Sequence, residues 1–449
     1  MGYSSKDGRR PFEMASKASH HHIINDAAVQ ALLRRIQSKP RAEQTKLDDI
    51  TGRFVPPSQN PVEHVIAADG GYSEVIVEKE FPSRALHFLQ VGALCFRRDD
   101  LVHIERSTFI SPDDMAKLKH IERLKLALPT RNMCLKGEPT LTGSVLDVIA
   151  EFLTSNALGE KISLMDTLAW LLFRRYKAGE RKESDKSWYL ATNPNTGKPV
   201  TLHDSKMDPA TFSFVCPETG GKIRLSDVFR LHEVINEETG ATGILGYLVN
   251  VIEHLVLVHL IRNILAIQPA LLGKILFIKD GPCGFFGQTA NLHAPMSDLV
   301  GWLQERYDLL LMGLEKSGAF VEHAHEIREK LKPGDILLLS NEYIYHYILP
   351  GQGDVSRPYG STTNYGHKLI FKTRRGQMQV ISVPVKELVL NPKAVNLKNL
   401  DILLLNVEQL HCDMYDSALF PVALVNKLVS LSAHPSQVIL RAFAKETVA

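Results

Sequence analysis

Cysteine is scarce in this chain: five cysteines occur among 449 residues, and they show no paired spacing. This scarcity excludes a disulfide framework and suits free thiols in a reducing cytosol. The N-terminus also lacks the apolar segment of a signal peptide, and the longest apolar stretch, residues 255–267, is interrupted by His259 and Arg262. Because a membrane span needs about 20 predominantly apolar residues, we expect a cytoplasmic protein that does not cross a membrane.

An excess of charge of either sign is absent as well. The chain has 52 Lys and Arg residues against 50 Asp and Glu residues, and 44% of its residues are hydrophobic. A surface that binds nucleic acid must therefore be a local patch, while the hydrophobic content suffices for a core. The phosphate-binding motif Gly-x-x-x-x-Gly-Lys-Ser/Thr does not occur either, so any ATP hydrolysis has to come from a separate protein.

Two Asp-Gly dipeptides each close a run of strand-forming apolar residues, HVIAAD at residues 64–69 and ILFIKD at residues 275–280. Such a run is typical of a strand buried in a mixed sheet, and an acidic residue at its carboxyl end points a carboxylate into a crevice. A single Asp-Gly is more often a hairpin turn, which is the alternative for each. Two of them after apolar strands favour metal-binding carboxylates, Asp69 and Asp280, as in nuclease folds of the RNase H type.

A third acidic residue, Glu253, lies in a long helix predicted from about Leu245 to Ile267. Most of this helix must be buried, and an ionised carboxylate there needs a partner, which a metal ion would supply. An exposed or His-paired Glu on a polar face is the alternative. The order of strand, helix and later strand, each giving one carboxylate, is the order that an RNase H-like site requires. Oxygen-rich sites of this kind suit Mg²⁺ or Mn²⁺, commonly as two ions.

The sequence therefore predicts an α/β chain with an RNase H-like mixed sheet flanked by helices. Residues 1–60 are expected to form an N-terminal arm, either docking on a partner or a plain leader. Residues 61–128 and 225–449 would form the core, with strands over 62–109 followed by a helix from Ser111 towards Leu128. Residues 129–224 would be a helical insertion that ends in a ribbon.

The ribbon is predicted from two similar pieces, NPNTG from Asn193 and CPETG from Cys216. Both resemble zinc knuckles, but only Cys216 remains of the ligands and His203 does not restore a tetrahedral set. We expect knuckle turns without zinc; two unrelated turns are the alternative.

Several motifs in order resemble the NurA nucleases: DGGYSE at 69–74, FPS at 81–83, IEH at 252–254, LFIKDGP at 276–282 and KSG at 316–318. The resemblance runs from about residue 62 to the C-terminus. It implies a fold similar to RNase H and PIWI domains and a manganese- or magnesium-dependent DNase. It also implies a dimer docked on a hexameric HerA ATPase, in DNA end processing or anti-phage defence. Metal ligation would fall to Asp69, Glu253 and Asp280.

The sequence departs from the NurA pattern near its C-terminus, where the family places a histidine in a helix. The corresponding run at residues 420–427 offers Asn426 or Lys427 instead. We expect His411 to be the fourth catalytic residue. The other candidates are Asp413, Asp416 and His367.

Positive charge near the proposed site comes from Lys316, Lys368, Lys372 and Arg374. The last three lie in a strand-turn-strand pattern, so alternate side chains are predicted to face a phosphate backbone; a solvated hairpin is the alternative. No base-reading motif occurs, so we expect sequence-independent, salt-dependent DNA binding.

The sequence thus favours a metal-dependent DNase that works with a HerA-type ATPase. The alternative is a catalytically weak, nuclease-like scaffold that holds DNA and regulates the ATPase. The missing C-terminal histidine supports this alternative. An RNA-directed enzyme of the same fold is a third possibility, because no residue in the sequence indicates whether the 2′-hydroxyl of RNA is recognised.

Overall fold

The computed structural model describes residues 22–36, 47–105, 119–120, 123–155, 162–351, 353–412, 417–431 and 436–448. The chain divides into two compact units, Met1–Ile50 and Thr51–Ala449. The first unit contains helices α1 (Ala27–Arg35) and α2 (Leu47–Ile50). Helix α1 begins after Asp26, whose carboxylate accepts hydrogen bonds from the first-turn N–H groups.

The second unit contains the strands. In chain order they are β1 (Thr51–Arg53), β2 (His64–Glu78), β3 (Arg84–Arg97), β4 (Lys119–His120), β5 (Leu124–Arg131), β6 (Ser187–Leu190), β7 (Val200–His203), β8 (Ser213–Val215), β9 (Lys222–Arg224), β10 (Ile275–Asp280), β11 (Leu310–Glu315), β12 (Asp335–Leu338), β13 (Gly366–Lys372) and β14 (Met378–Pro384). Ten of them form one sheet in the order β1-β12-β13-β14-β11-β10-β2-β3-β4, with β5 also paired to β3. The predicted N-terminal arm ends at residue 60, but β1, at Thr51–Arg53, already belongs to this sheet.

The centre of the sheet has the strand order of an RNase H-type core. Strand β10 is parallel to both β2 and β11, whereas β3 is antiparallel to β2 and β5 is antiparallel to β3. Counted from β2 as the first strand, the spatial order β5-β3-β2-β10-β11 is 3-2-1-4-5. The predicted mixed α/β class is therefore confirmed.

Helices cover both faces of this sheet. They are α3 (Arg98–Glu105), α4 (Leu141–Thr154), α5 (Leu164–Leu172), α6 (Leu245–Ile267), α7 (His293–Tyr307), α8 (Ala319–Glu326), α9 (Asn341–Tyr343), α10 (Leu400–Gln409), α11 (Phe420–Val429) and α12 (Ser436–Val448). One core contains residues of α4 to α7 with Ile66 and Ala68 of β2, and the other contains α10 and α11 with Val65 and Ala67. This alternation follows from the period of two along a strand, and it gives the sheet an α6 face and an α11 face.

Helix α6 is the longest described helix over the α6 face, and much of it is buried. Within the described residues, the stretch Thr242–Ile267 is long and apolar enough to cross a membrane, but it is mostly buried inside the protein, as is typical of a core helix in a soluble protein. Its buried histidines have partners: the His254 imidazole bonds the Asn250 carbonyl and the Tyr365 hydroxyl, and His259 bonds Thr167. These contacts satisfy polar groups that burial would otherwise penalise.

The predicted insertion is helical and ends in a ribbon, as the sequence indicates. Strands β6 and β7 form one hairpin, and β8 and β9 form another. The Asn193 side-chain amide donates to the Cys216 sulfur at 3.2 Å, so the two knuckle-like turns face each other.

The segment before the insertion differs from the sequence prediction. Helix α3 occupies part of the predicted strand at 101–109, and strand β5 occupies the end of the helix predicted from Ser111; residues 106–118 lie outside the described residues. The physical reason is the period of two in β5, where Leu124, Leu126 and Leu128 are buried and the residues between them are exposed or half-buried.

Close packing of α6 on β2 depends on Gly70. A Cβ at this position would lie 2.7 Å from the Val249 side chain and 2.9 Å from that of Val91. We expect Gly70→Ala to lower the free energy of unfolding by about 1–3 kcal/mol, because neither branched side chain has room to move in a packed core. Gly246→Ala, at an open position in the first turn of α6, is the control and should be neutral or stabilising by up to ~1 kcal/mol. Urea denaturation measures both, and equal stability of the two variants would contradict this packing.

Candidate active site

The two Asp-Gly motifs meet at neighbouring positions of parallel strands. The last paired residues of β2 and β10 are Ala68 and Lys279, so Asp69 and Asp280 follow side by side, on strands about 4.8 Å apart. Asp69 is 3% exposed. Burial, then repulsion by Asp280 and Glu253, raises the pKa of Asp69 to about 7. The structure thus brings the three predicted carboxylates into electrostatic range of one another.

Each oxygen of the Asp69 carboxylate accepts a hydrogen bond from a neutral donor. The Gly70 N–H donates to Oδ1 at 2.8 Å, and the Asn426 side-chain amide donates to Oδ2 at 2.8 Å. Helix α11, which packs on β2, brings Asn426 to this point. These donors fix the direction of the carboxylate without neutralising its charge.

Asp280 is paired with a lysine that is partly open to solvent. The Lys316 ammonium lies 2.7 Å from Asp280 Oδ2, and the two side chains are 25% and 19% exposed. Lys316 follows the last residue of β11, the strand next to β10. After Asp280 the chain turns at Gly281, whose φ of 89° lies in the left-handed region that favours glycine.

Glu253 is paired with a different lysine, which is buried. The Lys279 ammonium lies 3.0 Å from Glu253 Oε2, and the side chains of Lys279 and Glu253 are only 2% and 8% exposed. The same ammonium donates to the backbone carbonyl of Asp280. Burial raises the pKa of Glu253, although Lys279 and the Gly70 N–H act in the opposite direction.

The sheet divides these groups into two sets. Side chains alternate between the two faces along each strand. By this alternation the α11 face carries Asp69, Asp280 and Lys316, whereas the α6 face carries Lys279, next to Glu253 of helix α6. Within the described residues, no three His, Cys, Asp or Glu side chains form a group suited to one metal ion. Asp69 and Asp280 still fit a hard divalent cation, because Mg²⁺ is commonly held by one or two carboxylates with water completing its shell.

The structure places the predicted histidines away from Asp69 and Asp280. His411, after the end of α10, is buried and contacts the Arg375 guanidinium at the β13–β14 turn. Strand β14 is three strands from β2, roughly 14 Å away. His367 in β13 accepts the Val389 N–H, and burial lowers its pKa to about 4. Two further candidates, Asp413 and Asp416, lie outside the described residues.

Two of the predicted DNA-binding lysines have partners inside the protein. Lys368 is buried, 2.8 Å from Glu315 and 4.0 Å from the centre of the Phe320 ring. Lys372 is also buried and donates to two backbone carbonyls, those of Arg328 and Leu331. These contacts hold both ammonium groups away from any ligand.

The other two predicted cations remain at the surface. Lys316 lies beside Asp280, and the Arg374 side chain is exposed at the β13–β14 turn, with its guanidinium 5.5 Å from the centre of the Phe54 ring. Any phosphate contact by the predicted residues therefore falls to Lys316 and Arg374.

Two residues of the site carry roles that the sequence reasoning missed. From the sequence, Lys279 is only part of the strand motif, and Asn426 is only a departure from the family pattern. A lysine inside an otherwise apolar strand is itself a signal, because a buried ammonium requires an acidic partner.

Comparisons with known proteins return nuclease structures. No protein-family model and no curated protein matches the chain, but chains among the solved structures do. The NurA nuclease from Sulfolobus solfataricus shares 10% identity, with 97% of this chain and 98% of that chain covered and a TM-score of 0.36. A second NurA structure shares 10% identity, with 96% and 97% covered and a TM-score of 0.33. A NurA structure with manganese shares 12%, with 96% and 98% covered and a TM-score of 0.32.

This chain is thus similar to NurA structures over nearly its whole length, at low sequence identity.

The raised pKa of Asp69 predicts that the metal-free protein loses stability as pH rises. Between about pH 4 and 7 the folded protein keeps the Asp69 proton that the unfolded chain has lost, so the free energy of unfolding falls across this window. The variant Asp69→Asn cannot lose this proton. We therefore expect the free energy of unfolding of Asp69→Asn, compared with that of the wild type, to shift in favour of the variant by about 2–4 kcal/mol between pH 4.5 and pH 7.5.

Urea denaturation with a chelator at the two pH values measures this difference. Asp308→Asn, at a largely exposed carboxylate, is the control and should keep the wild-type pH dependence. A pH dependence in Asp69→Asn equal to that of the wild type would show that Asp69 ionises normally.

Proposed function

We propose that this protein hydrolyses DNA phosphodiester bonds with the help of Mg²⁺ or Mn²⁺. The observation that carries the proposal is that Asp69 and Asp280 lie side by side where the parallel pairing of β2 and β10 ends. Their mutual repulsion and the burial of Asp69 raise its pKa, and a divalent cation would relieve both costs. Such a cation stabilises charge on phosphate oxygens and lowers the pKa of water when it is bound.

The surrounding residues have separate roles in this proposal. Asp69 and Asp280 hold the cation, and Asn426 fixes the direction of the Asp69 carboxylate. Lys316, once released from Asp280, is free to contact the phosphate and to offset the negative charge that develops on it. Glu253 lies against Gly70 and pairs with Lys279 on the α6 face.

The proposed substrate is DNA held through its phosphates. Lys316 and the exposed Arg374 supply positive charge without any base-reading motif, so binding should be sequence-independent and salt-dependent. The lysines Lys368 and Lys372 would support the fold instead, because their ammonium groups have partners inside the protein.

We further propose that the protein is a cytoplasmic homodimer that acts with a HerA-type hexameric ATPase, in DNA end processing or anti-phage defence. Two observations support this: the order of motifs resembles NurA nucleases, and the chain has no phosphate-binding motif of its own.

One observation favours the rival function, a scaffold that holds DNA and regulates the ATPase. Lys279 and Lys316 already pair with two of the three carboxylates, so the fold does not need a metal ion to balance them. A chain with this site could therefore remain folded and inactive.

Cleavage assays separate the two functions. We expect the wild type to cut linear or single-stranded DNA in Mn²⁺ or Mg²⁺, and Asp280→Asn to lose about 100-fold or more of this activity. Asp308→Asn is the matched control and should retain it, since Asp308 pairs only with the surface residue Lys398 among the described residues.

The assay is run with and without a HerA-type ATPase, and with RNA in parallel. No cleavage by the wild type under any of these conditions, with DNA binding intact, would leave the scaffold as the function. Cleavage of RNA alone would identify the substrate as RNA.

Salt dependence of DNA binding tests the proposed phosphate contact of Arg374. We expect Arg374→Ala to weaken binding equally for unrelated sequences and to reduce the slope of log K against log salt by about 1. Arg357→Ala, at an exposed arginine paired with Asp354, should leave the slope unchanged. Fluorescence anisotropy at several salt concentrations measures both, and an unchanged slope in Arg374→Ala would remove this residue from the DNA surface.

A further inference from the structure

Lys279 is the one group of the site that the proposed function does not use. It follows the apolar residues of β10 and is 2% exposed, which is rare for a lysine. Its ammonium lies 3.0 Å from Glu253 and donates to the Asp280 backbone carbonyl. A buried lysine of this kind is stable only with such partners, so its position is fixed by the fold.

The oxygens of Glu253 are occupied by groups of the protein. Oε2 faces the Lys279 ammonium, and Oε1 lies against Gly70, where an added Cβ would approach it to 3.2 Å. The Gly70 N–H, which donates to Asp69 Oδ1, also acts to lower the pKa of this carboxylate. Glu253 therefore has the environment of an ion-paired residue, on the opposite side of the sheet from the face of Asp69 and Asp280.

The two lysines of the site differ in how easily an ion from solvent can displace them from their carboxylate partners. Lys316 and its partner Asp280 are 25% and 19% exposed, so an ion from solvent can replace that ammonium. Lys279 and Glu253 are 2% and 8% exposed, and moving that ammonium would leave a buried carboxylate without a partner.

The charges of the site agree with a single exchangeable ion. Three ionised carboxylates and the fixed Lys279 ammonium leave two negative charges, which one divalent ion balances. A second divalent ion would leave two positive charges in a largely buried site, at the cost that desolvated charge carries.

We propose that Lys279 takes the place of a second metal ion, so that the site binds one divalent cation, between Asp69 and Asp280. This cation displaces Lys316, while Lys279 neutralises Glu253 permanently on the α6 face. The inference rests on the proposed function for the identity of the ion, and it differs from the two ions that the sequence predicts for an RNase H-like site.

Manganese binding to the full chain tests the number of ions directly, without DNA. Calorimetric titration of the metal-free protein with Mn²⁺, together with electron paramagnetic resonance of the bound ion, should give one ion per chain and no coupled pair. Asp280→Asn should weaken this binding about 10-fold or more.

The double variant Glu253→Gln/Lys279→Met removes the buried pair together, so no unpaired charge remains in the core. We expect it to bind one Mn²⁺ with an affinity within about threefold of the wild type, because Asp69 and Asp280 are unchanged. The single variants Lys279→Met and Glu253→Gln each leave a buried charge and should lower stability strongly, which circular dichroism with urea measures.

Two Mn²⁺ ions per wild-type chain, or loss of Mn²⁺ from a folded double variant, would overturn this inference. If the double variant does not fold, the stoichiometry of the wild type decides. One bound Mn²⁺ without DNA cleavage would support the inference and refute only the proposed function. No Mn²⁺ binding by the wild type would overturn both.

Discussion

The parallel pairing of β2 with β10 is the contact on which the site depends. Its register, from His64 opposite Ile275 to Ala68 opposite Lys279, brings Asp69 beside Asp280. A slip of one residue would turn one of the two carboxylates to the opposite face, because side chains alternate along a strand. The register is held by cores on both sides of the sheet, so the energy that places the two like charges together comes from apolar packing.

The sequence is sufficient to predict the parts of the fold that contain continuous apolar runs. Strand β10 and the first part of β2, up to Asp69, are buried on both faces, so each appears as an apolar run whose ending at Asp69 or Asp280 is conspicuous. The same reasoning found Glu253, because helix α6 is apolar on nearly every side. These are the features in which burial alone determines the pattern of residues.

The sequence is insufficient to predict a residue's role where that role depends on neighbours in space. Lys368 and Lys372 alternate along β13 as a solvated hairpin would, yet β13 lies between β12 and β14 and is buried throughout. Their anionic and carbonyl partners come from segments that are distant in sequence. Likewise, only the register of α11 shows that Asn426 reaches Asp69.

The unequal lengths of β2 and β10 have a mechanical consequence. Strand β10 ends at Asp280, but β2 continues past Asp69 to Glu78, roughly 30 Å further, paired there only with β3 among the described strands. Strand β3 in turn carries β5, which leads into the insertion. Asp69 therefore lies where β2 loses its second neighbouring strand, and the residues beyond it are held by β3 and by packing of Val75 against Ala444 of α12, so the position of its carboxylate depends on these contacts as well as on β10.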